Sequence, residues 1–319
     1  MELINTEQVK ETRGIAFRAA YEQFLLRCDS RNLSPGTLAW YRQILGGLER
    51  FLAERYEVLR MEEIAPSHIR AYLSAQKARG ISSETTHRTY GGLRCFFKFL
   101  KRDGVILSDS MQLVEKPRRE RHLIQPLSAS QVLALLDQLE SRSFLGLRNR
   151  LAMLLMLDSG LRLSEILTLR QCDVDMAAGA LLVMGKGRKE RKVPFASVTR
   201  KALESYLRMR QRISTDSGLL IVSQHGQRLT SRHIQLLVRR LGRNAGIQGV
   251  RVSPHTLRHT CATQYIRNGG DPFSLQAILG HSTLEMVRNY VNLANRDVYD
   301  QHKKFSPMDR LLDAGVQAA

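Results

Sequence analysis

Residues 253–290 read SPHTLRHTCATQYIRNGGDPFSLQAILGHSTLEMVRNY, and this stretch decides how the end of the chain folds. A serine and an aspartate stand directly before Pro254 and Pro272, the order expected of an N-cap followed by the first helical residue. Ser282, with Glu285 three residues later, has the pattern of a further helix start. We therefore predict three consecutive helices joined by short turns.

The same stretch carries polar groups on its helix faces and at its turns. Arg258 follows His255 by three residues, so both side chains lie on one face of the predicted helix. His281 follows a glycine at a helix end, and Tyr290 lies on the next helix. A metal site formed by His255 and His259 is the weaker interpretation, because no glutamate or third ligand is nearby.

The charge balance indicates a polyanionic partner. The chain has 319 residues with 49 Lys and Arg against 30 Asp and Glu, which leaves a formal charge of +19. An excess of this size most often accompanies nucleic-acid binding. A peripheral membrane protein would concentrate its bases on one amphipathic helix, whereas here they are spread along the chain.

The cysteines and the apolar runs indicate the cellular compartment in which the protein works. The four cysteines form no C-x-x-C pair, which favours reduced thiols and argues against a thiolate zinc site. The longest apolar run, from Leu151 to Leu157, is far below the ~20 residues of a membrane span. We therefore expect a cytoplasmic protein with no membrane partner.

The first third of the chain has the pattern of a helical domain. Pro35 and Pro66 open two predicted helices, and a third runs from about Ser83 to Asp103. The basic, proline-marked residues 116–126 lack apolar periodicity and are interpreted as a linker. Its basic side chains either contact phosphates or form a solvated loop, and the sequence favours neither.

The second domain is predicted to be mainly helical with a small β-sheet. It begins with a capping box at Ser128. Two strands, Ala180 to Met184 and Lys192 to Phe195, surround a glycine-flanked basic hairpin, and Leu219 to Val222 is a candidate third strand. The predicted division is a helical domain at 12–115, the linker at 116–126 and a second domain at 127–319.

Several catalytic motifs are missing from the sequence. It has neither a G-x-x-x-x-G-K-[ST] loop nor an H-E-x-x-H pair, so ATP use and zincin chemistry are not indicated. Asp173 and Asp175 as magnesium ligands give only a weak signal. The remaining constellation suits phosphodiester chemistry without a metal, because Arg162 and Arg258 can bind phosphate oxygens with their planar forks. Lys186, at the tip of the basic hairpin, has the reach to enter such a site.

The order of these residues resembles the tyrosine recombinase (phage integrase) family, and its spacing is similar to that of the compact Xer-like members. The elements are Arg162, Lys186, the run HTLRH at 255–259, the Leu-Gly-His run that ends at His281, and Tyr290. The resemblance covers nearly the whole chain. It is loose in the N-terminal third and specific in the C-terminal motifs.

The resemblance implies a phosphate clamp and a nucleophile. Arg162, Arg258 and His281 would bind the scissile phosphate, and Tyr290 would attack it to form a 3′-phosphotyrosyl bond. A free tyrosine has a pKa of ~10. We therefore expect the two arginines to favour the phenolate of Tyr290.

The remaining roles concern protons and orientation. By resemblance, Lys186 would protonate the leaving 5′-oxygen, and His255 would assist proton transfer at Tyr290. Glu165 resembles a family acid that orients the site. The phosphotyrosine conserves the energy of the phosphodiester, so no cofactor, metal or ATP is expected.

The resemblance also implies an architecture and partners. The two domains would form a C-shaped clamp on duplex DNA recombination sites, and a tetramer of identical or related protomers would assemble there, associated with the bacterial nucleoid. A tail helix with Leu311 and Leu312 would dock on a neighbouring protomer, or else pack on its own domain. The alternatives are a type IB-like topoisomerase and a DNA-binding protein that has lost strand exchange.

Overall fold

The computed structural model describes residues 15–118, 125–139, 142–185, 189–213, 218–294, 302 and 306–308. These residues form two compact units, divided between residues 122 and 123. We call them unit 1 and unit 2. The exact domain boundaries predicted at 115, 116 and 126 stay predictions.

Unit 1 is helical in its described part. Its α-helices are α1 (Phe17–Ser30), α2 (Pro35–Tyr56), α3 (Pro66–Ala78) and α4 (Ser83–Arg102). The predicted starts at Pro35 and Pro66 are confirmed, because each proline occupies the first turn of its helix. The side chain of Ser34 accepts a hydrogen bond from the backbone nitrogen of Thr37 at 3.3 Å, which caps α2.

The core of unit 1 is rich in aromatic side chains from α1, α2 and α4. The Phe24 ring lies 5.4 Å from the Phe96 ring and 4.9 Å from the Tyr41 ring, both in edge-on arrangements. Aromatic rings bury large apolar areas, and edge-on pairs add a favourable electrostatic contact. These three helices are therefore held around one core.

Two adjacent glycines of α4 provide a matched test of this packing. A Cβ atom at Gly92 would lie 2.8 Å from Trp40 Cη2 and would also overlap Ile44, whereas one at Gly91 would meet nothing within 4 Å. We expect Gly92→Ala to lower the free energy of unfolding by about 1–3 kcal/mol through overpacking. Gly91→Ala, the control, should raise it by up to about 1 kcal/mol through helix propensity.

The measurement is denaturant unfolding of the full chain, followed by the fluorescence of Trp40. Trp40 is the single tryptophan of the sequence and lies in α2, so its signal reports the unfolding of unit 1. Equal midpoints for the two variants would show that α4 does not pack against α2 through Gly92.

Unit 2 combines eight described helices with a small sheet. The helices are α5 (Ala129–Asp137), α6 (Phe144–Leu157), α7 (Leu163–Ile166), α8 (Ser197–Arg210), α9 (Ser231–Asn244), α10 (Pro254–Arg267), α11 (Pro272–Leu279) and α12 (Glu285–Ala294). The capping box at Ser128 is confirmed at the start of α5. The predicted fold class, mainly helical with a small sheet, is confirmed as well.

The sheet has three antiparallel strands in the order β1 (Val174–Asp175), β2 (Ala180–Met184) and β3 (Glu190–Pro194). The predicted pair of strands around the basic hairpin is thus confirmed, with β3 beginning two residues earlier. The third strand was assigned wrongly. Residues 219 and 222 form only isolated bridges, with Arg170 and Arg228. The residues between them, Leu220 and Ile221, are buried in the core of unit 2, but the segment does not pair with the three-stranded sheet.

The C-terminal helices carry most of the predicted site. The side chain of Ser253 accepts from the backbone nitrogen of Thr256 at 3.2 Å and caps α10 as predicted. The cap predicted at Ser282 is wrong, because α12 begins three residues later, at Glu285. Val287 and Tyr290, three residues apart on α12, are buried in a cluster with side chains of α10 and α11.

The remaining predictions about the fold concern membrane spans and the C-terminal tail. No helix in the described part of the chain is long and apolar enough to cross a membrane. The predicted tail helix with Leu311 and Leu312 lies outside the described residues, although Ser306 before it is buried.

Candidate active site

Arg258 is the centre of a cluster built from separate segments of unit 2. It lies in the second turn of α10 and is 4% exposed. Its guanidinium donates to the backbone carbonyls of Gly160 and Leu279, the latter at 2.8 Å, and Nη2 lies 3.1 Å from His281 Nε2. One side chain therefore fixes the loop before α7, the end of α11 and the turn that follows it.

Arg258 keeps its charge although it is buried. Burial, and after it the charge of Arg162, lowers the pKa of the Arg258 guanidinium to about 10, while Glu165 acts in the opposite direction. A group with this pKa is protonated at neutral pH. Its five N–H donors include two that the three bonds above do not use. The site thus contains a fixed cation with donors to spare.

Arg162 lies beside Arg258 at the start of α7. The chain turns at Gly160, whose φ of +62° favours glycine, and this brings Arg162 to the N-cap position. The backbone nitrogen of Arg162 donates to Glu165 Oε2 at 2.8 Å, and its Nη1 donates to Oε1 at 2.9 Å. Its side chain remains 37% exposed, so this second guanidinium can be reached from solvent.

Glu165 is a buried carboxylate that holds two arginines. Burial alone would raise its pKa, but hydrogen bonds from Arg191 and from the backbone and side chain of Arg162 outweigh it, so the pKa is lowered. The group is therefore ionised at neutral pH. It accepts hydrogen bonds from both arginines, and the orienting role expected of it stays a prediction.

His281 is held against Arg258 by the turn after α11. Gly280 ends α11 in the left-handed conformation, and the backbone nitrogen of His281 donates to the carbonyl of Gln276 at 3.1 Å. Burial, then the charges of Arg258 and Arg162, lowers the pKa of His281 to about 4. The imidazole is therefore neutral at pH 7. With Nε2 accepting from Arg258, the ring proton resides on Nδ1, which has no hydrogen-bond partner among the described residues.

Tyr290 packs between two histidine rings. Its ring stacks on His281 with centroids 6.1 Å apart and an interplanar angle of 16°, and the His259 ring lies 5.0 Å away on α10. The side chain is 6% exposed. The phenol is therefore fixed beside the cluster by packing from α10 and from the turn after α11.

The acidity of Tyr290 differs from the prediction. Arg258 and Arg162 do lower its pKa, but burial is the larger effect, and the net pKa of the phenol is raised. The two arginines thus act on the phenol in the expected direction, but in the protein without DNA their effect does not overcome that of burial. The phenol is neutral at pH 7, so attack by its oxygen requires transfer of the phenol proton to another group.

The comparisons with known proteins cover both units. Residues 125–296 match the phage integrase family, and residues 20–104 match the phage integrase N-terminal SAM-like domain.

The chain belongs to the phage integrase family.

Curated relatives and a solved structure agree with this membership. Tyrosine recombinase XerC of Pseudomonas syringae pv. syringae is 32% identical over 263 residues, covering 82% of this chain and 87% of the relative. Tyrosine recombinase XerD of Oceanobacillus iheyensis is 30% identical, covering 87% of this chain and 94% of the relative. The fold is similar to that of a lambda integrase tetramer bound to a Holliday junction, with a TM-score of 0.74, 18% identity and coverage of 90% of this chain and 80% of that one.

The protein is therefore a site-specific tyrosine recombinase of the Xer-like type, and the prediction from the sequence is confirmed. The topoisomerase and the binding-only protein are not favoured, because the relatives are recombinases by name.

The cluster around Arg258 contains most of the residues singled out in the sequence. A hydrogen bond pairs Arg162 with Glu165, and direct contacts join Arg258, His281 and Tyr290. The charges of Arg162 and Glu165 act on Arg258 and bring all five into one cluster. His255 is exposed in the first turn of α10. Its pKa is lowered, first by partial burial and then by Arg258 and Arg162, so its imidazole is neutral at pH 7. Lys186 lies outside the described residues.

Arg191 is a member of the cluster that the sequence analysis missed. It lies in β3, and its Nη1 and Nη2 donate to the two oxygens of Glu165 at 3.0 and 2.9 Å. The alternation of β3 was the available signal, since Arg191 lies on the same face as the buried Val193. An arginine on the inward face of a strand needs a buried partner.

Asp173 and Asp175, the weak magnesium candidates, stabilise their own turns. Asp173 Oδ2 accepts from the backbone nitrogen of Arg170 at 2.7 Å, and Asp175 Oδ1 accepts from that of Ala178 at 2.8 Å. These are capping contacts of the turns on either side of β1.

Proposed function

We propose that this recombinase cleaves and rejoins duplex DNA through Tyr290. The Tyr290 oxygen attacks the scissile phosphorus, a 3′-phosphotyrosyl bond forms, and the bond from phosphorus to the 5′-oxygen breaks. Reversal of the step by another 5′-hydroxyl rejoins the strand. The observation that carries this proposal is the set of contacts of Arg258, which hold the Arg162 loop and His281 beside the ring of Tyr290.

The phosphate is bound by two guanidinium groups and an imidazole. Arg162 offers a solvent-accessible fork, and Arg258 offers the donors left over from its carbonyl contacts. The neutral His281 offers its Nδ1–H, which is the unpaired buried donor described above. Donors fixed before the substrate arrives stabilise the charge that develops on the phosphate at low reorganisation cost.

Two proton transfers accompany the exchange. The phenol proton must leave Tyr290, and we assign its acceptance to His255. The imidazole of His255 is neutral at pH 7, and it is close enough to Arg258 and Arg162 for their charges to lower its pKa. The departing 5′-oxygen must gain a proton, and we assign that role to Lys186. The assignment to Lys186 follows from the family resemblance alone, and that to His255 is supported also by its neutral imidazole.

The reaction as proposed uses neither metal nor ATP. One phosphodiester is exchanged for one phosphotyrosine, so bond energy is conserved through the cycle. The positive charge that a metal ion supplies in metal-dependent nucleases is supplied in this proposal by Arg162 and Arg258.

Recombination sites in duplex DNA are the proposed partner. The formal charge of +19 favours phosphate contacts and a steep dependence of binding on salt. We further propose a tetramer on two such sites, of identical or related protomers. The solved lambda integrase tetramer on a Holliday junction, which shares this fold, supports it.

The test is covalent trapping on DNA. The protein is incubated with duplexes whose core sequence is randomised and which carry a nick close to the cleavage site. Cleavage then releases a short fragment that carries the 5′-hydroxyl, and without this fragment the adduct cannot reverse. We expect adducts joined at a 3′-phosphate, with peptide mapping placing the DNA on Tyr290. Adduct yield should be unchanged by a chelator. An adduct on another residue, linkage to a 5′-phosphate or complete inhibition by the chelator would contradict the proposal.

A further inference from the structure

Arg191 and Arg162 compete for the same carboxylate. Glu165 Oε1 accepts from Nη1 of both arginines, at 3.0 and 2.9 Å. Oε2 accepts from Arg191 Nη2 at 2.9 Å and from the backbone nitrogen of Arg162 at 2.8 Å. Arg191 thus binds the carboxylate with its fork, whereas Arg162 uses a single side-chain donor. Of the two guanidinium groups, that of Arg191 therefore makes more hydrogen bonds to Glu165.

We propose that Arg191 is a positioning residue for DNA cleavage, which occupies Glu165 so that the guanidinium of Arg162 stays available to the scissile phosphate. The inference rests on the proposed function, since it assigns Arg162 to the phosphate. Arg191 itself is 13% exposed and is directed into the protein, so it acts through Arg162.

The physical reason is the cost of an unpaired buried charge. Glu165 is 6% exposed, and a carboxylate so placed requires a cationic partner. Without Arg191, the nearest remaining partner is Arg162, whose planar fork can pair with both carboxylate oxygens. Arg162 would then be drawn inward and neutralised, and the phosphate would lose one of its two guanidinium ligands.

The surroundings of Arg191 are shaped to hold an arginine in this position. Its Nε donates to the carbonyl of Ile278 at 2.9 Å, close to the turn that carries His281. A Cβ atom on Gly280 would lie 3.1 Å from Arg191 Cδ and Nε, and one on Gly185 would lie 3.6 Å from Nη1. The side chain therefore passes so close to Gly280 that a Cβ there would crowd it, whereas the distance at Gly185 is an ordinary van der Waals contact.

The test is a double-mutant cycle on single-turnover cleavage at saturating protein. Arg191→Met removes the charge and keeps the chain length, and we expect cleavage to slow by about 100-fold, the size of one lost transition-state contact. DNA affinity should change by less than about threefold. Adding Glu165→Gln to Arg191→Met should restore the rate at least tenfold, because a neutral side chain no longer sequesters Arg162.

A purely structural role gives the opposite sign in this cycle. If Arg191 only anchors β3 to α11, the double variant loses two more contacts and is as slow as Arg191→Met or slower. That result would overturn the proposal. Arg191→Lys keeps the charge without the fork and should cleave at an intermediate rate. A rate at or below that of Arg191→Met would also count against it.

Two further variants separate this inference from the proposed function. Lys192→Met removes the neighbouring cation of β3, whose side chain is exposed on the opposite face, and should cleave at the wild-type rate. If Arg162→Ala cleaves as fast as wild type, the assignment of Arg162 to the phosphate fails. If Arg162→Ala is slow and Arg191→Met is fast, only the positioning role of Arg191 fails.

Discussion

Tyr290→Phe is expected to abolish covalent protein–DNA adducts while DNA binding stays within about twofold of wild type. The substitution removes the oxygen that is proposed to form the bond to phosphorus. A loss of at least about 10⁴-fold in adduct formation is expected, which is the scale seen when a nucleophile is removed. The assay is denaturing gel analysis of the nicked substrate after single-turnover incubation.

The fold should survive this change. The Tyr290 ring is packed on the rings of His281 and His259 in a buried cluster, and phenylalanine preserves that packing. Loss of a hydroxyl without loss of ring volume is among the milder core substitutions. The effect on adducts therefore isolates the chemistry from stability.

Tyr265→Phe is the matched control. Tyr265 lies on α10 and packs against the same cluster as Tyr290, so the same atom is removed in the same part of unit 2. Its adduct yield should equal that of wild type. Adducts that persist in Tyr290→Phe, or that vanish in Tyr265→Phe, would show that the nucleophile was assigned wrongly.

Helix starts could be predicted because their signals are local. Ser34 and Ser253 each cap a helix through a backbone nitrogen three residues later, so the whole interaction lies within one turn of sequence. The third strand could not be predicted in this way. Its partner is chosen by the tertiary fold, and Val174 rather than the segment at 219–222 pairs with Leu181 of β2.

The membership of the site could be predicted only in part. Residue order and spacing singled out Arg258, His281 and Tyr290, which the fold brings together. Arg191 is joined to Glu165 across 26 positions of sequence, and the alternation of β3 marks it as inward-facing without identifying its partner. The raised pKa of Tyr290 was missed for a related reason. Burial depends on packing from several elements, whereas the two arginines were visible in the sequence.

Arg258→Ala is expected to slow cleavage by about 100- to 1,000-fold at saturating DNA, the usual effect of removing one strong donor to a developing charge. The substitution removes the spare donors of the guanidinium and also releases His281, whose Nε2 is 3.1 Å from Nη2. DNA affinity should fall much less, because many other phosphate contacts contribute to it. Rate constants from single-turnover adduct formation, with separate binding isotherms, make the comparison.

Stability must be measured alongside, because Arg258 also satisfies buried carbonyls. Alanine leaves the carbonyls of Gly160 and Leu279 without this donor, at about 1–3 kcal/mol each. Thermal melting identifies the temperature range in which the variant is folded, and cleavage is compared there. Arg267→Ala, in the last turn of the same helix and exposed, is the control and should leave the rate unchanged.

Arg258→Lys separates charge from geometry. Lysine keeps a cation at this position but lacks the planar fork, so it cannot serve Leu279, Gly160 and His281 together with a phosphate oxygen. If the site works by a rigid set of donors, this variant should recover less than about a tenth of the wild-type rate. Recovery to the wild-type rate would mean that a positive charge alone suffices, and the contacts of Arg258 would then have no role in cleavage beyond holding the fold.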